Sequence, residues 1–159
     1  MTVTECEVLS APFGRIELWQ ENGRLSRVAL HPDAPPSLDS EIARSPKLDT
    51  LAYHIKRYLE DPQKGIQWTL SPAGTAFQER VWRAMKAIPP GEVRTYGELA
   101  RALDSGPRAV AGACRANPWP LIVPCHRIVA ANGEGGYCGH TQGPYLAIKR
   151  WLLAHEGWR

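Results

Sequence analysis

Apolar and polar residues alternate along Gly14-Arg-Ile-Glu-Leu-Trp19 and again along Arg24-Leu-Ser-Arg-Val-Ala-Leu30, the period of two expected of half-buried strands. Glu21-Asn22-Gly23 lies between them and supplies turn chemistry, so the pair reads as a β-hairpin. Residues 31–40, rich in Pro, Asp and Ser, read as a loop. The interval then lengthens: Leu48, Leu51, Ala52, Ile55, Tyr58 and Leu59 recur at helical spacing and stop at Asp61-Pro62. The first half is expected to be a small α+β unit ending in the connection Ser71-Pro-Ala-Gly74.

The second half reads as mostly helical. Thr75-Ala-Phe-Gln78 and Thr95-Tyr-Gly-Glu98 both match the capping box, in which a hydroxyl and a side chain three residues on satisfy the first amides of a helix. The first opens a helix with Phe77, Val81, Trp82 and Met85 on one face, stopped by Pro89-Pro90-Gly91. The second opens a short helix from Tyr96 to Leu103. After Asp104-Ser-Gly106 another runs through Pro107-Arg-Ala-Val-Ala-Gly-Ala-Cys-Arg-Ala116 and must end before Asn117-Pro118. Two short helices joined by a tight glycine-containing turn form a helix-turn-helix signature. Ala109, Ala111, Gly112 and Ala113 give the second helix small side chains, and Arg108 and Arg115 lie two turns apart on one side. Such a helix either docks closely on a phosphate backbone or packs tightly on a neighbouring helix.

Charge sharpens this division. The 159 residues carry a net charge of +3, but residues 1–75 amount to −2 and residues 76–159 to +5, with nine arginines among the eleven basic residues of the second half. Arginine suits phosphate forks. A 43% apolar and 22% charged composition is that of an ordinary globular protein. No uncharged run reaches the roughly 18 apolar residues needed to span a bilayer, and the acidic start Thr4-Glu-Cys-Glu7 has the wrong polarity for a secretory signal. A cytoplasmic protein is expected, or a nuclear one in a cell with a nucleus, with no membrane partner. Cys6, Cys114, Cys125 and Cys138 are too few and too scattered for a disulfide framework and are expected to be free thiols.

The densest chemistry lies in Leu121-Ile-Val-Pro-Cys-His-Arg-Ile-Val129. The apolar residues read as a buried strand, interrupted at Pro124. Cys125 beside His126 and Arg127 is expected to have a lowered pKa, since neighbouring positive charge favours a thiolate. That makes it a candidate nucleophile, the alternative being a structural core cysteine. Neighbouring side chains in an extended chain point to opposite faces, so proton exchange between Cys125 and His126 calls for a bent backbone or a water. Glu156 follows Leu152-Leu153 before Gly157, where exposed carboxylates are common. His31, His54, His140 and His155 read as ordinary surface or core residues.

The stretch Pro124-Cys-His-Arg127, preceded by Asn117-Pro118 and followed by Gly135-Gly-Tyr137 and Leu152-Leu-Ala-His-Glu-Gly157, resembles the O6-alkylguanine-DNA alkyltransferases. The resemblance runs from about Thr75 to the C-terminus in order and spacing. It implies an α+β fold, with a ribonuclease-H-like domain over 1–72 and a mainly helical domain over 73–159 containing a winged-helix-like helix-turn-helix. It implies single-turnover transfer of an alkyl group from O6-alkylguanine in double-stranded DNA to Cys125, by a monomer that needs no cofactor or metal. Relatives that bind zinc use two cysteines in the N-terminal domain, whereas no second cysteine follows Cys6 before Cys114.

By the same resemblance, Cys125 is the acceptor, His126 its base through a bridging water, and Glu156 the carboxylate that orients the histidine. Asn117 organises the turn before the active segment, and Tyr96 helps rotate the nucleotide and donates a hydrogen bond to the leaving purine. Arg108 enters the base stack, Arg115 contacts phosphate, and Thr95, Ala109 and Gly112 lie along the same DNA-facing module. Trp119, Pro120, Tyr137 and Cys138 fall in segments that wall the base pocket. Two departures stand out: Cys138 replaces the Ser or other small or basic residue often found there, and His140-Thr-Gln-Gly-Pro-Tyr145 makes a longer link than usual. A cysteine hydrolase built on Cys125, His126 and Glu156 would explain the triad but not the paired helices. A non-catalytic helix-turn-helix regulator or lesion sensor would explain the helices but not the cysteine.

Overall fold

Three antiparallel strands, β1 (Thr4–Ala11), β2 (Gly14–Glu21) and β3 (Arg24–Pro32), form one sheet in the order β1-β2-β3. The computed structural model describes residues 3–32 and 50–158, and the chain divides into two units, Met1–Ser71 and Pro72–Arg159. The hairpin expected from alternation is β2–β3. Asn22 (φ 51°) and Gly23 (φ 80°) are both left-handed at its tip, as the type I′ turn requires. Strand β2 buries Gly14, Ile16, Leu18 and Gln20 at every second position. Gln20 Oε1 accepts from Trp68 Nε1 at 3.0 Å, which satisfies a polar group on the buried face. Strand β1 escapes the sequence pattern because it is an edge strand in which Leu9 is the one fully buried position.

Helix α1 (Leu51–Glu60) starts at Thr50, whose hydroxyl accepts from the Tyr53 N–H at 3.2 Å, and buries Leu51, Ala52, Ile55 and Tyr58. These four belong to the predicted helical face, whereas Leu59 of that face is only half-buried. Leu48 and residues 33–40 of the expected loop lie outside the described residues.

In the second unit, α2 (Ala76–Lys86) opens with the full capping box predicted for Thr75 and Gln78 and buries Val81, Trp82 and Met85; Phe77 is only half-buried. A Cβ on Gly74 (φ 76°) would lie 2.5 Å from the Trp82 ring, so a glycine is needed where the chain enters this helix. Strand β4 (Arg94–Thr95) leads directly into α3 (Tyr96–Ala102), where Thr95 Oγ1 accepts from the Glu98 N–H at 3.0 Å. Helix α4 (Pro107–Arg115) follows, packing against both α3 and α2. Trp82 Nε1 donates to the Ala113 carbonyl at 2.8 Å, fixing α4 against the core. Helix α5 (Pro144–His155) closes the unit. Among the described residues no helix is long and apolar enough to cross a membrane.

The segment expected as a strand over 121–129 is mostly not one. Buried turns occupy 120–123, a single 3₁₀ turn spans Cys125–Arg127, and only Ile128–Val129 forms a strand, β5, parallel to β4. Pro118, Pro120 and Pro124 deprive the run of the evenly spaced N–H donors a ladder needs. Residues 121–129 are nevertheless all buried. The apolar pattern reported burial there, not conformation.

Candidate active site

The turn that carries Cys125 is held by one side chain. Asn117 Nδ2 donates to the Val123 carbonyl at 2.9 Å, and Asn117 Oδ1 accepts from the Trp119 N–H at 2.9 Å. Asn117 thus stands in for missing ladder partners on both sides of a proline-rich bend. The Cys125 N–H bonds the Val123 carbonyl at 2.8 Å and the Arg127 N–H that of Pro124 at 3.0 Å, which winds the chain into the 3₁₀ turn. That turn is the bent backbone that the adjacency of Cys125 and His126 called for.

Glu156 lies 30 residues downstream at the end of α5, with its carboxylate fully buried. Its Oε2 meets His126 Nε2 at 2.9 Å and accepts from Arg127 Nη2 at 2.8 Å, while Oε1 accepts from Arg127 Nε at 2.9 Å. The remaining Arg127 nitrogen, Nη1, donates to the Ile88 carbonyl at 2.6 Å. A bidentate guanidinium demands a carboxylate, so His126 Nε2 carries the hydrogen that points at Glu156. The unprotonated nitrogen is then Nδ1, which is buried and has no hydrogen-bond partner among the described residues. Burial pushes the imidazole below its usual 6.5 despite the pull of Glu156 in the other direction. The ring is therefore a neutral base.

The expectation of a lowered Cys125 pKa fails. Burial raises the thiol above its ordinary 9.0. His126 is neutral, and the Arg127 charge is matched by Glu156, so neither neighbour in sequence supplies the expected field. The influences that do favour the thiolate are a hydrogen bond from Asn117, the charge of Lys149 and the backbone N–H of Cys125 itself.

Lys149, on α5, has no solvent exposure. Its Nζ donates to the carbonyls of Ile128 at 2.6 Å, Glu134 at 2.6 Å and Gly136 at 2.9 Å. Three carbonyls replace the three hydration partners of an ammonium. Burial lowers its pKa to about 8, so it remains charged at neutral pH. The tripod joins β5, just after the nucleophile, to the loop that forms the opposite side of the site.

That site is a cavity of about 230 Å³. Cys125 opens onto it, with Tyr96, Tyr137, Cys138 and the α4 residues Ala111 and Arg115 among its lining. Tyr96 is half-buried, and burial raises its phenol above 10, which keeps the hydroxyl a donor. A Cβ on Gly135 (φ 74°) would lie 3.0 Å from the Tyr96 ring, so the tyrosine is backed by bare main chain. Cys114 and Cys138 line the same cavity as Cys125, their pKa values raised by burial, that of Cys114 to about 12. All four cysteines are free. Trp119 and Pro120 do not line the cavity; both are buried, Trp119 edge-on against Trp82 with ring centroids 5.3 Å apart.

Of the residues expected along the DNA-facing module, Thr95, Arg108, Ala109 and Gly112 lie outside this pocket. Arg108 and Ala109 are exposed on α4, and a Cβ on Gly112 would meet nothing within 4 Å. Arg115, one end of the same helix, is exposed and also borders the cavity. Thr95 is half-buried, pairing with Val129 while capping α3. Arg127, Lys149 and His140, which lines the cavity, were absent from the expected site. Arg127 was visible as a cation beside the nucleophile. Lys149 sits in an apolar helical run, Leu146-Ala-Ile-Lys-Arg-Trp-Leu-Leu153, where a lysine on the core face was the available signal. Replacing Lys149 with Met leaves one buried and two part-buried carbonyls without their donor, so Lys149→Met is expected to lose about 1–3 kcal/mol of stability in urea unfolding; an unchanged midpoint would deny the tripod a structural role.

A family model described as the DNA-binding domain of 6-O-methylguanine DNA methyltransferase matches residues 76–158. A methylated-DNA–protein-cysteine methyltransferase of Thermococcus sibiricus is 41% identical over 72% of this chain and 63% of its own length, so the matched stretch is somewhat under two thirds of that relative. The constitutive one of Bacillus subtilis is 32% identical over 91% of this chain and 90% of its own. Among solved structures, the Mycobacterium tuberculosis O6-methylguanine methyltransferase superposes with a TM-score of 0.77 at 30% identity, covering 97% of this chain and 93% of that one. A Mycobacterium tuberculosis OGT solved in complex with DNA gives 0.74 at 29% identity, over 95% and 92%. With Cys125 on the wall of the cavity, His126 next to it and hydrogen-bonded to Glu156, and the likeness extending over nearly the whole chain, this protein belongs to the O6-methylguanine-DNA methyltransferase family.

Proposed function

We propose that this protein repairs DNA by direct reversal, moving the alkyl group of an O6-alkylguanine in duplex DNA to Cys125 in a single turnover. The observation that carries the reading is a buried thiol opening on a cavity, next to a neutral imidazole whose far nitrogen is anchored on Glu156. The Cys125 S–H proton passes to His126 Nδ1 through a bridging water, and Glu156 and Arg127 hold the imidazole that becomes charged. The sulfur then attacks the alkyl carbon. The C–O bond breaks, its electron pair stays on the guanine, and the Tyr96 hydroxyl donates a hydrogen bond to that purine as charge builds on it. The product thioether is inert to water, so one molecule corrects one lesion.

The target base must leave the helix to reach a buried sulfur, at a cost of a few kcal/mol. Arg108, exposed on α4, is the side chain we assign to the vacated stack, with Arg115 on phosphate and Thr95, Ala109 and Gly112 along the approach. The open surface at Gly112 and the net charge of +5 over residues 76–159 support that docking. Asn117 positions the active turn, and Tyr137 and Cys138 wall the base pocket. We read 1–72 as a ribonuclease-H-like domain and 73–159 as the catalytic domain with a winged-helix-like DNA module, acting as a cytoplasmic or nuclear monomer. The near-full-length likeness to solved family members supports the two-domain part of this reading.

Duplex DNA labelled on the O6-methyl group provides the test. Intact mass is expected to rise by one methyl replacing one hydrogen, mapped to Cys125, with label and protein in equal amounts. Cys125→Ser is expected to abolish transfer while keeping DNA affinity; repeated release of label by one protein molecule would point to a hydrolase instead. Affinity should weaken with added salt.

The rate is expected to hold as pH falls to 6.5 and to drop only below it, because the base is an imidazole held under its usual value. The sign follows from the neutral ring being the active form: protonation at low pH removes the acceptor. A stopped-flow profile that instead climbs in proportion to thiolate up to pH 9 would remove His126 from the step. Arg108→Ala is expected to slow repair in duplex DNA by about tenfold, or ~1.4 kcal/mol, while free O6-benzylguanine reacts much less affected; equal losses would deny it a flipping role.

A further inference from the structure

The segment His140-Thr-Gln-Gly-Pro-Tyr145 begins at the cavity, where its first two residues, His140 and Thr141, are among the lining. Tyr137 and His140 exchange two backbone hydrogen bonds of 2.8 and 2.9 Å around Cys138 (φ 51°) and Gly139 (φ 82°). Two consecutive left-handed residues make this a tight type I′ reversal. A Cβ on Gly136 would lie 3.0 Å from the His140 carbonyl oxygen, so the reversal is pressed against its own base. At the other end, Tyr145 lies in the first turn of α5, the helix that also carries the Lys149 tripod. The His140 ring is stacked on Tyr145, centroids 4.3 Å apart and planes within 4°. The exposed imidazole is thus held on the first turn of the helix by its stack on Tyr145, and His140 and Thr141 are among the residues lining the cavity that Cys125 enters.

We infer that the His140–Tyr145 stack is a specificity element that favours O6 substituents carrying a flat ring over methyl. The inference rests on the alkyl-transfer reading above. In that reaction the alkyl carbon lies at the Cys125 sulfur, and a methyl group ends there. Anything larger needs a further wall. A ring already stacked on its neighbour offers a flat face without losing rotamer freedom on binding, the condition under which an aromatic contact contributes most.

The test uses the full chain and two duplexes, one with a single O6-methylguanine and one with a single O6-benzylguanine, and follows single-turnover alkylation by intact mass. The readout is the ratio of the benzyl to the methyl rate constant. His140→Ala is expected to lower that ratio about 3- to 10-fold, the worth of one aromatic contact. His140→Phe, which keeps a flat ring, is expected to hold it within about twofold, and Tyr145→Leu to lower it in the direction of His140→Ala. A ratio that stays the same or rises in His140→Ala overturns the inference, a rise marking the stack as a gate. If His140→Ala does not fold, Tyr145→Leu decides by the same criterion. Wild-type protein that alkylates with neither duplex would instead sink the alkyl-transfer reading itself.

Discussion

The carboxylate of Glu156 is fully buried, and the rest of the site is arranged around it. Burying an anion costs several kcal/mol unless it is paired and its lone pairs are filled. Here Arg127 takes both oxygens, His126 shares one of them, and the Ile88 carbonyl takes a further Arg127 donor. Those contacts tie together the segment just after α2, the 3₁₀ turn of the thiol and the C-cap of α5. A Cβ on Gly91 would lie 3.0 Å from the Glu156 carbonyl oxygen, so the loop after α2 is also shaped to this residue. Disturbing the carboxylate would release the imidazole and the helix end together.

The same pairing explains why the thiol is not activated in the simplest way. A guanidinium next to a cysteine would stabilise its thiolate if it were free, but a carboxylate at 2.8 Å cancels most of that field. Burial then leaves Cys125 protonated at rest. For a protein proposed to react once, a quiet thiol that ionises only when a substrate aligns with it protects the sulfur from oxidation between encounters. The neutral His126, with Nδ1 open to a proton, is the base in the proposed step. Lys149 supplies the charge, held in place by three carbonyls and kept from competing as a base by its own proton.

One helix joins this buried chemistry to the protein surface. Ala111 and Arg115 border the pocket, while Arg108 and Ala109 face solvent on the same α4. The helix is fixed from behind by the Trp82 hydrogen bond to Ala113. Small residues therefore serve both readings left open by the sequence: they pack α4 closely on the core at Val110 and Ala113, and they leave its outer surface low at Gly112.

Local signals in the sequence determined the β2–β3 hairpin through Asn22-Gly23, the starts of α2 and α3 through Thr75 and Thr95, and the pair of short helices α3 and α4. Each depends on residues within about four positions of one another, which is the range over which capping, turn and periodicity signals act. Local reading missed strand β1, whose pairing is made by a neighbour and not by its own pattern, and it mistook residues 121–129 for a strand, because burial alone does not distinguish a strand from a proline-braced turn. Only the tertiary structure decided the protonation of the site. Glu156 neutralises Arg127 from 29 residues away, and Lys149 reaches the wall of the pocket from 13 to 21 residues away. Electrostatic fields and desolvation depend on distance through space, and the chain order of Cys125, His126 and Arg127 carried no information about which charges would be cancelled.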